Sequence, residues 1–358
     1  MNQASSNDHS AEPFDGLAQL EQIRGMVESE FSIQEGFVEH NVPTFHVERR
    51  EDSKEAFLRL TRRMESLGLL PVLRRIEEKT VLRIIPKPPV KPSRNIINIG
   101  MLFATLGTVF LSGYLLSLEI GSALVFTGAI MAILGSHEMG HKLMADRHSV
   151  EATYPYFVPG LPPIGTFGAV IQQKSLPPNR DALFDLGFAG PVAGFIVSII
   201  IMLIGVRLSV VTDVLPPGAG PWPYPNPILF EVLFYIGVMF FPPSGTGRWI
   251  LVHPVVFAGW VGMIITMLNI VPVGQFDGGH VARSLLGRRA HRILSYLGIL
   301  LLIIVWYPMA FIALFLAFSR HPGPLDDVSE PTTLRKLAAI GLVAIFILCV
   351  APIYPLLA

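Results

Sequence analysis

Six long apolar runs follow residue 95, and they restrict most strongly what the chain can fold into. A helix needs about 20 apolar residues to cross a bilayer, and these runs reach that length. Only 15% of the residues are charged, whereas soluble domains usually carry about a quarter. The sequence therefore predicts an all-α polytopic membrane protein with about six transmembrane helices. The runs lie at about 96–118, 120–142, 184–211, 250–271, 292–317 and 334–357.

A seventh apolar segment, residues 227–243, is short for a span and contains Glu231. A carboxylate inside lipid without a partner is costly. The segment is therefore predicted to be interfacial or re-entrant.

The N-terminal quarter of the chain has a different composition and is predicted to form a small soluble α/β domain. Between residues 51 and 68, Ala56, Phe57, Leu60, Met64 and Leu67 recur at helical spacing. The segments VPTFHVE and LPVLRRIEEKTVLRIIP on either side are typical of strands. We expect this domain to be separable, so that its deletion leaves metal binding intact. The predicted organisation is a disordered segment at 1–16, the soluble domain at 17–86, a proline-rich linker at 87–94 and the transmembrane domain at 95–358.

The distribution of charge indicates how the chain is oriented in the membrane and which partners it binds. Lys and Arg are concentrated in the N-terminal domain and in the loops 142–182 and 274–292, and short basic loops usually stay cytoplasmic. The N-terminus is therefore predicted to be cytoplasmic. The net charge is zero, so no nucleic-acid partner is expected. Cys349 is the one cysteine, which excludes an intrachain disulfide or a cysteine-based metal site.

The motif HEMGH lies where the second apolar run ends. His137 and His141 are four residues apart, so on a helix their imidazoles share one face and can bind one metal ion. Glu138 stands beside the first histidine, where its carboxylate can take a proton from water. This HExxH pattern is typical of zinc peptidases. Ionisable residues at the edge of a span are usually functional, which favours this interpretation over a charged helix face.

A catalytic zinc site needs a third protein ligand. His148, His253, His280 and His291 are candidates by residue type, and so is a carboxylate. Asp277 in NIVPVGQFDGGH follows the fourth predicted span. One crossing away and one crossing back place it on the same membrane face as HEMGH. A His/His/Asp site is therefore geometrically possible, although Asp-Gly-Gly is also a common turn.

Together these stretches resemble the site-two protease family of intramembrane zinc metalloproteases, closest in style to the plant-chloroplast and archaeal members that lack PDZ and CBS domains. The family pairs HExxH with N-x-x-P and a following D-G-G element. Phe276 stands where the family more often has Leu or Met. The matching residues are His137, Glu138, His141, Asn269, Pro272, Asp277, Gly278 and Gly279.

The resemblance implies a zinc metalloendopeptidase that cleaves transmembrane protein substrates within the bilayer. His137, His141 and Asp277 would bind one Zn²⁺, Glu138 would act as the general base, and Asn269 would orient the substrate or the oxyanion. PPIGTFGAVIQQ resembles the family's short membrane-embedded strand, which could pair with an unwound substrate. Its candidate substrate-binding residues are Gly165, Thr166, Phe167 and Gly168.

Two further segments have ordinary interpretations as well. The loop 321–331 resembles a His-Pro and Asp-Asp loop of the same relatives, or it is a capped turn before the last span. Gly187, Gly190 and Gly194 recur on one face of the third span, and close packing of helices is the favoured interpretation.

Other functions remain open from the residues alone. Polar groups in a membrane also line the paths of transporters, so a metal-regulated transporter is one alternative. A non-catalytic binder of transmembrane helices is another, although the presence of Glu138 argues against it. A different membrane zinc protease would keep HExxH but would not use Asp277.

Overall fold

The structure, a computed structural model, describes residues 17–89, 95–215, 220, 222–305, 314 and 321–350. The chain divides into two compact units. The N-terminal unit contains residues up to 91 together with 177–180 and 324–330, and the larger unit contains the rest. The expected disorder at 1–16 and most of the expected linker lie outside the described residues.

The N-terminal unit contains a four-stranded antiparallel sheet with strand order β1-β2-β4-β3. Helix α2 buries Ala56, Phe57, Leu60 and Met64, four of the residues whose spacing predicts a helix. Leu67, the fifth, lies beyond the end of the helix at Glu65 and is exposed. The hairpin of β3 and β4 turns between Ile76 and Lys79. The elements are α1 (Leu17–Glu28), β1 (Ile33–Glu39), β2 (Val42–Val47), α2 (Ser53–Glu65), β3 (Leu69–Ile76) and β4 (Lys79–Pro86).

The larger unit is helical, and three of its described helices are long and apolar enough to cross a membrane. Its elements are α3 (Asn95–Ser117), α4 (Ile120–Arg147), β5 (Tyr156–Pro159), β6 (Thr166–Val170), α5 (Arg180–Leu208), β7 (Val210–Thr212), α6 (Ile228–Phe240), β8 (Ser244–Gly245), β9 (Trp249–Leu251), α7 (Pro254–Ile270), α8 (Asp277–Val305) and α9 (Thr333–Cys349). The three long helices are α3, α4 and α5. The chain is thus an integral membrane protein.

The later helices differ from the predicted spans. Helix α7 and the described part of α9 have 17 residues each. The predicted basic loop 274–292 is largely helical, because α8 already begins at Asp277 and is broken only at Gly287. Gly287 has φ 77°, a conformation that glycine adopts without strain. The predicted fifth and sixth spans extend into residues outside the described ranges.

The apolar core of the larger unit lies between α4, α5 and α7. Phe126, Met202, Val256 and Met263 are buried there. These helices are apolar around most of their surface, as expected for segments packed against both protein and lipid. The core therefore holds α4, which carries HEMGH, against α5 and α7.

The end of helix α6 lies beside the end of α5 and the start of α7. Strand β7, which follows α5, pairs with β8 after α6 and with β9 before α7. At the other end of α6, the Trp260 indole N–H donates to the Pro225 carbonyl at 3.0 Å. Glu231, which has no evident partner in the sequence, accepts a hydrogen bond from the Asn226 amide at 2.6 Å.

Candidate metal centre

Helix α4 carries the HEMGH motif into the protein interior. His137, Glu138 and His141 are only 5%, 5% and 8% exposed. His141 Nδ1 donates to the Leu186 carbonyl at 2.7 Å. Since a carbonyl can only accept, the neutral His141 ring keeps an electron pair on Nε2. That hydrogen bond therefore prepares Nε2 as a metal ligand.

Asp277 reaches the same place from the start of α8. Helix α7 ends at Ile270, and a turn of six residues leads to Asp277. A Cβ on Gly278 would lie 1.8 Å from the Ile270 carbonyl, and a Cβ on Gly279 would lie 2.5 Å from the Gly274 carbonyl. The two glycines thus allow α8 to begin directly against the end of α7, which brings the Asp277 carboxylate to the histidines.

Three potential ligand atoms meet at one point. The His137 Nε2–Asp277 Oδ2 distance is 3.2 Å, the His141 Nε2–Asp277 Oδ2 distance is 3.3 Å, and the two Nε2 atoms are 3.2 Å apart. Atoms bound to a tetrahedral zinc at about 2.0–2.1 Å are separated by about 3.3 Å. The donor types and their separations therefore fit one zinc ion.

Helix α5 packs its glycines against these ligands. A Cβ on Gly190 would lie 2.1 Å from His141 Nε2, and one on Gly194 would lie 3.2 Å from His137 Nδ1. A Cβ on Gly187 would lie 2.6 Å from the Asp277 carbonyl oxygen. The three glycines pack α5 against neighbouring helices, which was the favoured interpretation of their spacing. The helix surfaces that they contact carry all three potential ligands, and this could not be predicted from the spacing alone.

Two further polar groups stand at the centre. The Asn269 side-chain amide lies 3.3 Å from His137 Nε2, so the predicted substrate-orienting residue reaches the ligands. The Glu138 carboxylate is hydrogen-bonded to the backbone of Ile171, the residue directly after β6. Glu138 is absent from the donor triangle, as a general base beside the metal should be.

The four substrate-binding candidates lie in the β5–β6 hairpin. Phe167 is 74% exposed, whereas Thr166 is buried and its hydroxyl donates to the Val158 carbonyl at 2.7 Å. The Gly165 carbonyl accepts from the Thr108 hydroxyl of α3 at 2.7 Å. Gly168 has φ 105° with open space at its Cβ position. The hairpin reaches Glu138 through Ile171, and none of these four residues belongs to the His137, His141 and Asp277 cluster.

The other histidines have partners elsewhere. His148 bonds to Asp185, His253 to Ser122 and His291 to the Gly274 carbonyl. His280 bonds to His321 at 2.8 Å. Among the described residues, His137, His141 and Asp277 form the one cluster that could hold a metal ion.

A helical membrane domain with an HExxH helix and a converging aspartate defines a membrane protein of the metallopeptidase class. Residues 125–305 match Peptidase family M50, a range that includes the HExxH motif, Asn269 and Asp277. The chain belongs to this family, which is the family of the site-two proteases.

Curated relatives come from plants. The chain is 29% identical over 280 residues to the probable zinc metalloprotease EGY2, chloroplastic, of Oryza sativa subsp. indica, covering 72% of this chain and 50% of the relative. It is 30% identical over 250 residues to the probable zinc metalloprotease EGY1, chloroplastic, of Arabidopsis thaliana, covering 67% and 44%. The chain spans about half the length of these relatives. No solved structure matches the chain.

Proposed function

We propose that the chain is a zinc metalloendopeptidase that hydrolyses peptide bonds within or near the transmembrane segments of membrane proteins. The observation that carries the proposal is the donor triangle, in which two α4 histidines and Asp277 of α8 are mutually 3.2–3.3 Å apart. Family membership and the names of the relatives support zinc as the metal. His137, His141 and Asp277 are the proposed ligands.

The protein residues divide the remaining chemistry among them. Bound zinc supplies Lewis acidity, which makes hydroxide available near neutral pH and polarises a scissile carbonyl. Glu138 takes the proton from the attacking water and gives it to the leaving amine. Its burial and its bond to the Ile171 backbone hold the carboxylate close to the ligands. Asn269, 3.3 Å from His137 Nε2, is placed to donate to the substrate carbonyl.

The hairpin next to Glu138 is the proposed substrate platform. A peptide bond in a transmembrane helix is protected, because its carbonyl is hydrogen-bonded and water is absent. Strand β6 pairs with β5 in a two-stranded sheet, so its other edge is available in the described part of the chain. A substrate that has unwound can pair with that edge. Gly165, Thr166, Phe167 and Gly168 would then shape the platform, and Phe167 is exposed for contact.

Orientation and span number are part of the proposal. Six spans with a cytoplasmic N-terminus place the basic loops on the cytoplasmic side. The same arrangement puts HEMGH and Asp277 at one membrane face. The N-terminal unit and the opening of the site are then cytoplasmic, and the partners are the bilayer and transmembrane substrates.

The decisive experiment co-expresses the protein with a library of single-span membrane proteins and compares wild type with Glu138→Gln. Loss of the general base should reduce cleavage by about 10²–10⁴-fold, while the tag-free variant keeps about one zinc per chain. Glu119→Gln is the matched control, because Glu119 directly precedes α4 at its other end and accepts a hydrogen bond from the Ser122 hydroxyl. It should cleave as wild type does.

Two outcomes would contradict the proposal. Wild-type protein without any divalent metal excludes a metallopeptidase. A Glu138→Gln variant with full activity excludes Glu138 as the base. A metal-regulated transporter or a non-catalytic helix binder would instead leave every library protein intact in both strains.

A further inference from the structure

His321 and His280 form a hydrogen-bonded pair beside the proposed metal centre, and the donor of this bond can be identified. The backbone N–H of Gly323 donates to His321 Nδ1 at 3.0 Å, so this nitrogen is the acceptor of the ring. Burial lowers the pKa of His321 to about 2, and His280, His291 and Arg283 act in the same direction. The ring is therefore neutral, its proton is on Nε2, and Nε2 donates to His280 Nδ1 at 2.8 Å.

This pair reaches the first turn of α8, which carries Asp277. His280 is three residues after Asp277, so it lies almost one turn along the same helix face. Helix α5 contacts the turn from another direction, since a Cβ on Gly187 would lie 2.8 Å from His280 Cβ and 2.6 Å from the Asp277 carbonyl oxygen. The position of the first turn therefore depends on both α5 and His321.

The chain after His321 runs directly into the N-terminal unit. Residues 324–330 belong to that unit, where Leu325 and Asp327 extend the sheet beyond β3. The Leu73 N–H donates to the Leu325 carbonyl at 2.9 Å, and the Asp327 N–H donates to the Leu73 carbonyl at 3.2 Å. The Arg74 guanidinium adds a bond of 2.7 Å to the Leu325 carbonyl. Asp326 thus forms an isolated parallel β-bridge with Leu73, and the segment around it is here called the added strand.

Asp326 fixes the shape of this added strand. Its side chain is 0% exposed, and Oδ1 accepts from the backbone N–H groups of Val328 and Ser329 at 2.9 and 3.0 Å. Its own N–H donates to the Pro178 carbonyl at 3.0 Å. A buried carboxylate that organises the backbone in this way holds the strand in one register.

The short segment between His321 and the added strand is also closely packed. Gly323 has φ 73°, and a Cβ there would lie 2.6 Å from the Arg283 guanidinium, which is 2% exposed. Beyond the strand, the Thr332 N–H donates to Asp181 Oδ1 at 3.0 Å. His321 is therefore fixed by its own neighbours and joined to the added strand through a few residues.

We propose that His321, the first residue of the segment 321–331, here called the strap, positions Asp277 through its hydrogen bond to His280. His321 and His280 are positioning residues in this scheme, and Asp326 seats the strap in the sheet. The proposal rests on the proposed function, because it takes Asp277 as a metal ligand.

The test titrates the metal-free full-length protein with Co²⁺ and records affinity and the ligand-field absorption spectrum. His321→Ala should weaken Co²⁺ binding about tenfold, as expected when support of a metal ligand is lost, and should change the spectrum. His321→Gln should restore both, because its side-chain amide can donate from the position of Nε2.

His253→Ala is the control, because it removes a histidine hydrogen bond to Ser122 in the same unit without touching the strap. Wild-type affinity and spectrum in His321→Ala would overturn the proposal. So would failure of His321→Gln to restore binding, or equal weakening by His253→Ala. The titration requires no cleavage, so a wild-type protein that binds Co²⁺ yet hydrolyses nothing removes the proposed function and leaves the positioning result standing.

Discussion

Gly190 of α5 lies against the His141 ring so closely that a Cβ at Gly190 would be 2.1 Å from Nε2. That nitrogen is one of the three atoms in the donor triangle. The absence of a side chain at Gly190 therefore helps to define the position of the His141 ring.

Gly190→Ala should displace His141 and lower zinc affinity by tenfold or more, since loss of ligand support costs about 10–100-fold. The methyl group cannot fit unless α5 or the ring moves. Metal content and Co²⁺ affinity of the purified variant are the measurements. Gly135→Ala is the matched control, because position 135 on α4 has nothing within 4 Å of its Cβ. Normal metal binding by Gly190→Ala would show that α5 does not fix the ligand.

Asn269→Ala should keep zinc and lose turnover. The amide is 3.3 Å from His137 Nε2 but belongs to no ligand set, and removal of one donor to a developing oxyanion costs about 10²–10³-fold in kcat. Cleavage kinetics and metal content of the same sample test this. Asn226→Ala, which loses a side-chain bond to Glu231 outside the centre, should retain kcat. Loss of metal from the Asn269→Ala variant would show that Asn269 supports the metal site and would contradict a role limited to the substrate.

The site residues could be predicted because their chemistry is local in sequence. HEMGH gives two candidate ligands on one helix face with a candidate base beside them, and Asp-Gly-Gly after a span marks the turn that leads to Asp277. The glycines of α5 were visible as a stripe, but their contacts with His141 and Asp277 depend on how three helices meet. The Leu186 carbonyl that orients His141 has no side-chain signature at all.

The strap was missed for a related physical reason. Its strand pairs with β3 across about 250 residues of sequence, and backbone pairing leaves little trace in composition. The prediction of a loop at 274–292, between the fourth and fifth predicted spans, was wrong, because most of this stretch is helical. Arg283 is buried and helical, and the true break is at Gly287.

Removal of residues 17–86 tests the N-terminal unit as a whole. The sequence predicts that metal binding survives this deletion. The position of the site leads to the same expectation, because His137, His141, Asp277 and the His321–His280 pair all lie outside these residues. We expect the truncated protein to bind Co²⁺ with wild-type affinity. Loss of metal binding in the truncated protein would contradict a separable domain.

The final prediction is that residues 227–243 do not cross the membrane. Helix α6 has 13 residues, or about 20 Å at 1.5 Å per residue, which is less than the apolar thickness of a bilayer. The pairing of β7 with β8 and β9 holds the end of α6 beside the end of α5 and the start of α7. The number of membrane crossings between His137 and Asp277 supports the same conclusion, because one extra crossing would place Asp277 at the membrane face opposite His137.

Single cysteines on both sides of α6 measure this directly in a Cys349→Ser background. Gly220→Cys and Thr246→Cys are suitable, because both positions are exposed and a Cβ at Gly220 meets nothing within 4 Å. Both should react with an impermeant thiol reagent added from the non-cytoplasmic side. Arg289→Cys, in the basic segment, is the control and should react only after permeabilisation. If Gly220→Cys and Thr246→Cys react from opposite sides, α6 crosses, and a zinc site shared by His137 and Asp277 requires a different arrangement of the other spans.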